Sequence, residues 1–498
     1  MIYNFNLGIG WASSGVEYAQ FYRARMFRGI GEPAKFIFTD MFPQENIEHY
    51  TRNIGFKDEE VIWLYTYFTD FKTSPVTYTF RDFEETLADQ DYTVSRTGKI
   101  GRIYFSNSND FCTVYFTDEK HDLMHRVEYV SNGFLIRKDY FTYGRIYSEY
   151  YAPLDGKAHM YLRRFFNTDG STAYEEINDG GDVMYRFSDQ ILFSKEEFVG
   201  YFVRCLKLTA SDVVIIDRTT GTGQAILENC NDARIGIIVH ADHYSAGNTN
   251  DDYILWNNYY EYPFAMFRHI SFFVTATDAQ NKKMREQFLK YVGEEPDIVT
   301  IPVGSLDKLR YPGSGGRRPY SVMTASRLAS EKHIDWVIEA CAKAKKSIPG
   351  LTLDIYGAGG EYNQLKSLVE ERKAGSYIRL MGQHDMTDIY QNYELYLSGS
   401  TSEGFGLSLM EAAGGGLPII GFDVPYGNPT FIDDGKNGYL IPVGDRMTVT
   451  ERIDALARCT VMFFTEADRG RFSAHSYETA SSFLTEKVMK RWEQLIKK

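Results

Sequence analysis

The sequence predicts an α/β protein with two parallel-sheet domains and an antiparallel β-rich insertion in its N-terminal half. Continuous apolar strands alternate with helical segments in both halves of the chain, as in parallel sheets that are covered on both faces. Short strands of alternating polarity interrupt this rhythm in the first half, and the Gly- and Pro-rich residues 311–319 indicate a linker between the two series. The predicted boundaries are 1–72 and 191–310 for the N-terminal domain, 73–190 for the insertion, 320–480 for the C-terminal domain, and 481–498 for a helix that crosses back to the N-terminal domain.

The N-terminal domain begins with a strand, a glycine loop and a helix. Further apolar strands follow it and resume after the insertion; the predicted strands are residues 2–8, 35–39, 211–217, 234–240 and 270–274. The loop at residues 8–15 is only loosely similar to a dinucleotide fingerprint, although Asp40 could supply its acidic residue. We therefore expect Gly15 to allow close approach of a sugar or phosphate to the helix N-terminus instead. The loop at residues 219–224 lacks a Walker Lys-Ser/Thr pair and is interpreted as a structural turn or an acceptor contact.

The insertion has the pattern of an antiparallel meander. Turn residues separate its short strands at intervals of about ten residues. The predicted strands are residues 76–80, 103–105, 113–116, 126–130 and 133–136. The chain contains 37 Tyr and 34 Phe, many of them between residues 59 and 200, which favours an interaction surface here.

The C-terminal domain repeats the βα rhythm. Its predicted strands are residues 320–324, 351–356, 378–381, 395–397 and 418–421. Two open parallel sheets joined by a linker create a cleft at the carboxyl ends of their strands, where ligands bind. We expect the loops described below to face that cleft.

The segment from Ser402 to Ala412 carries the strongest functional signal. Glu403 follows a strand, and a glycine loop leads from it into a helix-favouring run. Because the first N–H groups of a helix have no intrahelical partners, a diphosphate can bind over Gly406 and Leu407. Glu403 and Glu411 would then accept hydrogen bonds from the hydroxyls of a sugar and of a ribose. The alternative is an ordinary strand-loop-helix with surface glutamates.

Two cations follow the first strand of the C-terminal domain. Arg327 and Lys332 lie five residues apart at a predicted strand end, where they could bracket a diphosphate. Taken alone, the pair is better explained as a solvated charge run. The neighbouring glycine loop favours the diphosphate site.

His240 ends a predicted strand and is a candidate contact for a sugar hydroxyl or carbonyl, against the alternative of a structural histidine. Asp242 and His243 follow it, but the spacing supplies no third strong metal ligand. We predict no metal site.

Composition limits the class of protein. A formal net charge of −13 argues against a broad nucleic-acid surface. The sequence has no 18-residue apolar run and no basic N-terminal leader, so we expect a cytoplasmic protein. The five cysteines lie far apart without a CxxC pair, which suggests neither a zinc site nor a disulfide framework.

The C-terminal motifs together resemble those of the retaining glycosyltransferases of the GT-B fold, family 4, which have two Rossmann-like domains facing a cleft. The motifs are Arg327-x4-Lys332, Gly357-Ala358-Gly359, Ser402-Glu403-Gly404-Phe405-Gly406 and Glu411. A closer resemblance covers residues 2–11, 14–19 and 35–40. They are similar to the catalytic subunits of the bacterial two-component O-glycosyltransferases that modify serine-rich-repeat adhesins before accessory-Sec export, and the β-rich insertion also fits that subfamily.

This resemblance implies retaining transfer of N-acetylglucosamine (GlcNAc) from UDP-GlcNAc to Ser or Thr hydroxyls, without a metal or other cofactor. Arg327 and Lys332 would stabilise the diphosphate leaving group, and His240 would contact the sugar near the reacting carbon. The implied catalytic residues are His240, Arg327, Lys332 and Glu403. The implied donor-binding residues are Gly15, Arg327, Lys332, Glu403, Gly404, Phe405, Gly406, Leu407 and Glu411, together with Gln383 and His384 for the uracil pocket.

The resemblance also implies partners. It predicts a hetero-oligomer with a non-catalytic homologue that helps to capture the unfolded serine-rich-repeat acceptor and associates peripherally with the cytoplasmic face of the membrane. The insertion is the candidate surface for both contacts. No nucleic-acid partner is expected.

Several alternatives stay open. The same chemistry could use UDP-glucose or modify wall teichoic acid. A non-catalytic homologue would be expected to lose the phosphate cations and donor carboxylates, so Arg327, Lys332, Glu403 and Glu411 argue for catalysis. A glycogen- or sucrose-synthase-like enzyme would share the second half, but the insertion and the N-terminal motif argue against it.

Overall fold

The computed structural model describes residues 1–10, 15–87, 89–106, 108–444 and 447–498. Residues 11–14, part of the predicted glycine loop, lie outside the described residues. The chain divides into two compact units. The first comprises Met1–Ala24, Glu32–Ile238 and Asn258–Ser271, and the second comprises Arg25–Gly31, Val239–Asn257 and Phe272–Lys498.

The elements before the second parallel series are as follows, in chain order: β1 (Ile2–Asn6), α1 (Gly15–Ile30), β2 (Ala34–Phe38), α2 (Ile47–Ile54), β3 (Val61–Trp63), α3 (Leu64–Tyr67), α4 (Phe80–Glu85), β4 (Tyr92–Thr97), β5 (Ile100–Phe105), β6 (Phe111–Phe116), β7 (Met124–Ser131), β8 (Phe134–Phe141), β9 (Arg145–Leu154), β10 (Lys157–Phe166), β11 (Thr172–Asp179), β12 (Asp182–Arg186), β13 (Ile191–Leu192), α5 (Lys195–Cys205), β14 (Val213–Ile216), α6 (Gly223–Leu227), β15 (Arg234–Val239) and α7 (Glu261–Ala265).

The first unit contains a parallel sheet in which the strands lie in the order β15-β14-β1-β2-β3. Strand β1 pairs in parallel with both β14 and β2. Its neighbours are apolar and buried, as Ile215 and Ile37 illustrate at 0 % exposure. This is the burial expected of a parallel sheet with both faces covered.

The ten strands β4 to β13 form one antiparallel sheet, in which each strand pairs with the next along the chain. Aromatic rings from this sheet pack as stacked pairs, with Phe165 and Tyr174 centred 4.4 Å apart and Tyr140 and Tyr147 centred 4.2 Å apart. The buried guanidinium of Arg163 pairs with Glu149 at 2.7 Å and Glu176 at 2.5 Å. The high Tyr and Phe content of the region is thus used in part to build the sheet's core.

The predicted strand at residues 76–80 is wrong, because a helix cap forms there instead. Thr79 accepts a hydrogen bond from the backbone of Asp82, whose carboxylate accepts one from the backbone of Thr79. This capping box starts α4 at Phe80. The side-chain bonds at the cap therefore prevail over the alternating polarity of residues 76–80.

The second unit contains the remaining elements: β16 (Phe272–Thr275), α8 (Asp278–Tyr291), β17 (Ile298–Thr300), β18 (Ser321–Ala325), α9 (Ile334–Ala344), β19 (Thr352–Tyr356), α10 (Tyr362–Glu371), β20 (Ile378–Gly382), β21 (Leu395–Leu397), α11 (Leu407–Gly414), β22 (Ile419–Phe422), α12 (Asn428–Phe431), β23 (Gly438–Ile441), α13 (Val449–Thr465), α14 (Arg469–Ser481) and α15 (Thr485–Ile496).

The second unit contains a sheet of six parallel strands in the order β20-β19-β18-β21-β22-β23. Because β18 and β21 are neighbours, the loops that follow them leave the same edge of the sheet. Helix α15 packs on the last turns of α1, where the rings of Trp492 and Phe27 are centred 5.5 Å apart. The predicted domain boundaries themselves stay predictions.

No helix in the described part of the chain combines the length and the apolar character that a membrane crossing requires.

Candidate functional site

The loop between β21 and α11 presents backbone N–H groups at a helix N-terminus. Gly406 precedes the first helical residue, Leu407, and has φ of +87°, which glycine adopts without strain. A Cβ atom at Gly406 would also lie 2.6 Å from a methyl group of Leu409. The glycine therefore permits the sharp entry into α11, whose first N–H groups have no partners within the helix.

Lys332 and Glu403 form an ion pair beside this helix start. Lys332 Nζ lies 2.6 Å from Glu403 Oε2, and the two side chains are 18 % and 16 % exposed. The Glu403 backbone is fixed as well, since its carbonyl oxygen accepts hydrogen bonds of 2.6 Å from the N–H groups of Tyr426 and Gly427. The pair thus places one cation and one carboxylate at a defined position near α11.

Arg327 does not join that pair. Its side chain is 74 % exposed and its Nη2 donates to Glu331 Oε1 at 2.7 Å. A backbone hydrogen bond, with help from the charges of Arg327 and Lys332, lowers the pKa of Glu331. The two predicted phosphate cations therefore differ, with Lys332 held in place and Arg327 able to move in solvent.

The motif Gly357-Ala358-Gly359 holds the Arg327 loop by direct contact of one backbone with another. A Cβ atom at Gly357, where φ is +130°, would lie 1.8 Å from the carbonyl oxygen of Ser326. The N–H of Leu328 donates to the carbonyl oxygen of Ala358 at 2.9 Å. The glycines are thus required for packing the two loops together.

Ser326 is a site residue that the sequence analysis missed. Its buried Oγ atom makes no hydrogen bond within the described residues. It lines a small cavity together with Lys332 and Glu403. A hydroxyl in that position can donate to an incoming ligand.

Glu411 lies one turn into α11 and accepts a 2.8 Å hydrogen bond from the hydroxyl of Tyr390. Burial raises the pKa of Glu411, against the effect of this bond and of the charge on Arg310. Tyr390 was also missed, since it lies 21 residues before Glu411 and in no recognisable motif.

Gln383 and His384 follow β20 and are both exposed. His384 Nε2 lies 2.9 Å from the carbonyl oxygen of Met381, and its ring meets Tyr356 edge to face at 5.6 Å. Neither contact assigns these residues to a uracil pocket, and that role stays a prediction.

His240 meets the Glu403 loop within the second unit. A Cβ atom at Gly404 would lie 3.1 Å from the carbonyl oxygen of His240, so the two backbones approach closely. The following His243 is fully buried, and its Nε2 lies 2.6 Å from Gln287 Oε1. Burial lowers the pKa of His243 to about 4. The neutral imidazole therefore anchors the segment that carries His240.

Tyr426 ties the two segments together. Its hydroxyl lies 3.4 Å from His243 Nδ1 and also hydrogen-bonds to Asp242, while its own N–H holds Glu403. Burial raises the pKa of Asp242. The sequence analysis gave Tyr426 no role, because it lies 183 residues from His243.

The other predicted donor contacts have mixed surroundings. The Phe405 ring is 6 % exposed and packs edge to face on Phe431 at 5.3 Å, so this side chain supports the core. Leu407 is partly buried and packs against Gly304. Gly15 is the first residue of α1 in the first unit, where a Cβ atom would meet nothing within 4 Å. Its donor contact stays a prediction.

Among the described residues, no group of three or more His, Cys, Asp or Glu side chains has the arrangement of a metal site.

Comparisons with known proteins identify the class of protein to which this fold belongs. A family model described as "Glycosyl transferases group 1" matches residues 315–469, and one described as "GtfA extended beta-sheet domain" matches residues 93–189. The crystal structure of TarM superposes with a TM-score of 0.78 at 18 % identity over 100 % of this chain and 98 % of that one, which shows a shared fold. The fold and site thus define a glycosyltransferase of the GT-B class, and the predicted fold class is confirmed.

The family follows from relatives of much higher identity. The UDP-N-acetylglucosamine--peptide N-acetylglucosaminyltransferase GtfA subunit of Streptococcus gordonii is 52 % identical over 497 residues, covering 100 % of this chain and 98 % of the relative. The "pneumococcal O-GlcNAc transferase GtfA in complex with UDP and GlcNAc" has a TM-score of 0.92 at 49 % identity, covering 100 % and 98 % of the two chains. This chain belongs to the family of GtfA glycosyltransferase subunits, and the predictions of the family and of a GlcNAc-transferring enzyme are confirmed.

Proposed function

We propose that this protein transfers GlcNAc from UDP-GlcNAc to Ser and Thr hydroxyls of a serine-rich-repeat adhesin, as the first step of its O-glycosylation. The observation that carries the residue roles is the ion pair between Lys332 and Glu403 beside the start of α11. A cation next to free helix N–H groups suits a diphosphate, and a carboxylate suits the sugar hydroxyls attached to it. We propose UDP-GlcNAc as the donor because the names of the relatives given above contain it or its parts.

Positive charge near the leaving group is the main catalytic contribution of this site. Lys332 would stabilise the negative charge that builds on the UDP diphosphate as the bond to the sugar breaks. Arg327 would leave Glu331 and bind a phosphate as a planar fork, which its exposure allows. Together with the N–H groups of Gly406 and Leu407, these cations supply the charge stabilisation, and we propose a metal-independent reaction.

The remaining residues would orient the donor. Glu403 would hold the sugar hydroxyls, and Glu411 would hold the ribose. His240 would contact the sugar near the reacting carbon, since its segment is anchored beside the Glu403 loop. Gln383 and His384 would border the uracil, and Gly15 would pack against the donor.

The protein would act with a partner. The crystal structure of a GtfA/B complex contains a chain that is 52 % identical, with a TM-score of 0.96 and coverage of 100 % of this chain and 99 % of that one. We propose a hetero-oligomer with a non-catalytic homologue, which captures the unfolded acceptor and brings the enzyme to the cytoplasmic face of the membrane. The ten-stranded sheet is the proposed surface for partner and acceptor.

The test uses the full chain, alone and with the partner, a serine-rich peptide, and UDP-GlcNAc or UDP-glucose in the presence of EDTA. We expect the peptide mass to rise by one N-acetylhexosamine, and Lys332→Ala to slow transfer by about 100-fold or more. Lys343→Ala is the matched control, because Lys343 on α9 makes a 2.6 Å ion pair with Asp454 on α13. Addition of hexose only, strict dependence on a divalent cation, or modification of a ribitol-phosphate polymer in place of the peptide would each contradict the proposal.

A further inference from the structure

A large cavity lies on one face of the antiparallel sheet in the first unit. Its volume is about 860 Å³, within the range of small-molecule sites. It lies between α4 and the turn at residues 167–170, above strands β6 to β8. We call it the sheet cavity; six aromatic residues line it: Tyr78, Phe83, Phe105, Phe111, Tyr129 and Phe141.

Contacts within the first unit fix the walls of the sheet cavity. Thr168 on the turn donates both its N–H and its hydroxyl to Asp70, at 2.7 and 2.6 Å. The rings of Tyr78 and Phe141 stack with centroids 4.5 Å apart. The Tyr129 hydroxyl donates to Asp139 at 2.8 Å. The cavity is therefore formed by the fold and does not depend on a ligand to shape it.

The charged groups that line the sheet cavity are of both signs. Arg137 Nε lies 3.2 Å from Asp139 Oδ1, and Asp139 is only 2 % exposed. This ion pair is the contact of the buried Arg137 Nε, which makes no well-aligned hydrogen bond within the described part of the chain. Asp89 and Asp91 line the cavity and are exposed. A ligand thus meets both carboxylate acceptors and guanidinium donors in one cavity.

This arrangement selects a neutral ligand that both donates and accepts hydrogen bonds. An anion would face the carboxylates of the lining, and a cation would face Arg137 and Arg145. Placing either charge beside a like charge is costly. A sugar carries no charge, and its hydroxyls can donate to carboxylates while an acetamide oxygen accepts from a guanidinium. Phe105 and Phe111 line the cavity at partly exposed positions, and aromatic rings suit the apolar C–H face of a pyranose ring.

We propose that the sheet cavity is a second saccharide site, which binds a GlcNAc residue already attached to the acceptor chain. The inference rests on the proposed function, because that reaction produces a GlcNAc-bearing serine chain. Occupation of the cavity would retain a partly modified acceptor while further Ser and Thr residues reach the donor site.

The test compares two peptides of one sequence, bare or carrying a single α-O-GlcNAc, by calorimetry on the full chain saturated with UDP. We expect the glycopeptide to bind at least about tenfold more tightly than the bare peptide. The double variant Asp89→Ala/Asp91→Ala should bind the two peptides equally, so that the ratio of their affinities falls to about one. Ser131→Trp should have the same effect, because the indole would fill the cavity from a partly exposed lining position. The control Glu85→Ala/Glu119→Ala removes the same charge from exposed positions that do not line the cavity and should keep the ratio.

UDP affinity and the thermal midpoint report whether each variant is folded. Equal binding of the two peptides by the wild-type chain, or an unchanged ratio in both cavity variants, would overturn the inference. A glycopeptide carrying an acidic sugar that binds better than the GlcNAc form would do so as well. GlcNAc transfer to the bare peptide is measured in parallel, so that failure of the proposed function is seen separately from failure of the sugar-dependent ratio.

Discussion

Lys332 and Glu403 constrain each other, because both side chains are less than one-fifth exposed and only 2.6 Å apart. Glu403 partly neutralises Lys332, the cation that we propose for the diphosphate. In the proposed site, the pair would therefore couple recognition of the sugar to that of the nucleotide. Substitution of one member changes the behaviour of the other.

We predict that Glu403→Gln separates nucleotide binding from transfer. Without the carboxylate, Lys332 is free to bind phosphate and a negative charge near the diphosphate is gone, so UDP should bind as tightly as in the wild type or more tightly. Transfer should fall by about 100-fold, because the sugar loses its charged acceptor. Calorimetry with UDP and a peptide-mass assay measure the two quantities. Asp454→Asn, which removes the partner of Lys343, should change neither; weaker UDP binding in Glu403→Gln would contradict the coupling.

We predict that Glu411→Gln trades ligand affinity for stability. Burial raises the pKa of Glu411, so its ionised form costs free energy in the folded protein. That carboxyl favours folding at pH below its unfolded pKa, and this contribution is lost as pH rises through the folded pKa. Glutamine keeps an acceptor for Tyr390 without the charge. The thermal midpoint at pH 8 should therefore equal or exceed that of the wild type, and the difference should shrink towards pH 5.

The same variant should bind UDP about tenfold more weakly, because an amide oxygen accepts a weaker bond from a ribose hydroxyl than a carboxylate does. Tyr390→Phe is the companion variant, since it removes the hydroxyl that holds Glu411. It should enlarge the pH dependence of the carboxyl, because the bond from Tyr390 lowers the pKa that burial raises. A lower midpoint for Glu411→Gln at pH 8 would show that the charge is stabilised, contrary to our interpretation.

At the scale of elements, a glycine decides how two loops meet. We predict that Gly357→Ala disrupts the Arg327 loop, because its Cβ would lie 1.8 Å from the Ser326 carbonyl oxygen at a φ of +130°. The expected cost is at least about 2 kcal/mol in stability, together with weaker UDP binding. Gly360→Ala is a matched control three residues away, where a Cβ meets nothing within 4 Å. The thermal midpoint and UDP affinity of the two variants should differ clearly; equal behaviour would mean that the loop adapts.

The order of the strands also explains which site residues could be predicted from the sequence. Lys332 follows β18 and Glu403 precedes α11 after β21, and these strands are parallel neighbours, so a correct parallel sheet already places both residues at one edge. The missed partners, Tyr390 and Tyr426, reach the site across the tertiary fold, and no local spacing indicates them. The wrong strand prediction at residues 76–80 has a local cause. The sequence from Thr79 to Asp82 already contains the capping box, but the prediction relied on the alternating polarity instead.

At the scale of the whole molecule, two buried histidines should make the stability of the folded protein depend on pH. Burial lowers the pKa of His243 to about 4 and that of His125 to about 4. Because protonation is harder in the folded protein than in the unfolded chain, this stability is present above about pH 6.5 and is lost as pH falls towards 4. One histidine shifted this far removes about 2 kcal/mol between pH 7 and pH 5.

We therefore predict that the urea midpoint falls between pH 7 and pH 5, and that His243→Asn reduces this fall. Asparagine can donate to Gln287 and accept from Tyr426 but does not titrate, so the variant should be less stable than the wild type at pH 7 and closer to it at pH 5. His159→Asn is the control, because His159 lies exposed on β10 and should leave the fall unchanged. Since His243 also anchors the segment that carries His240, transfer by His243→Asn should decline at pH 7 even where the protein stays folded. A pH profile of the midpoint that is identical in His243→Asn and the wild type would show that this imidazole does not govern acid stability.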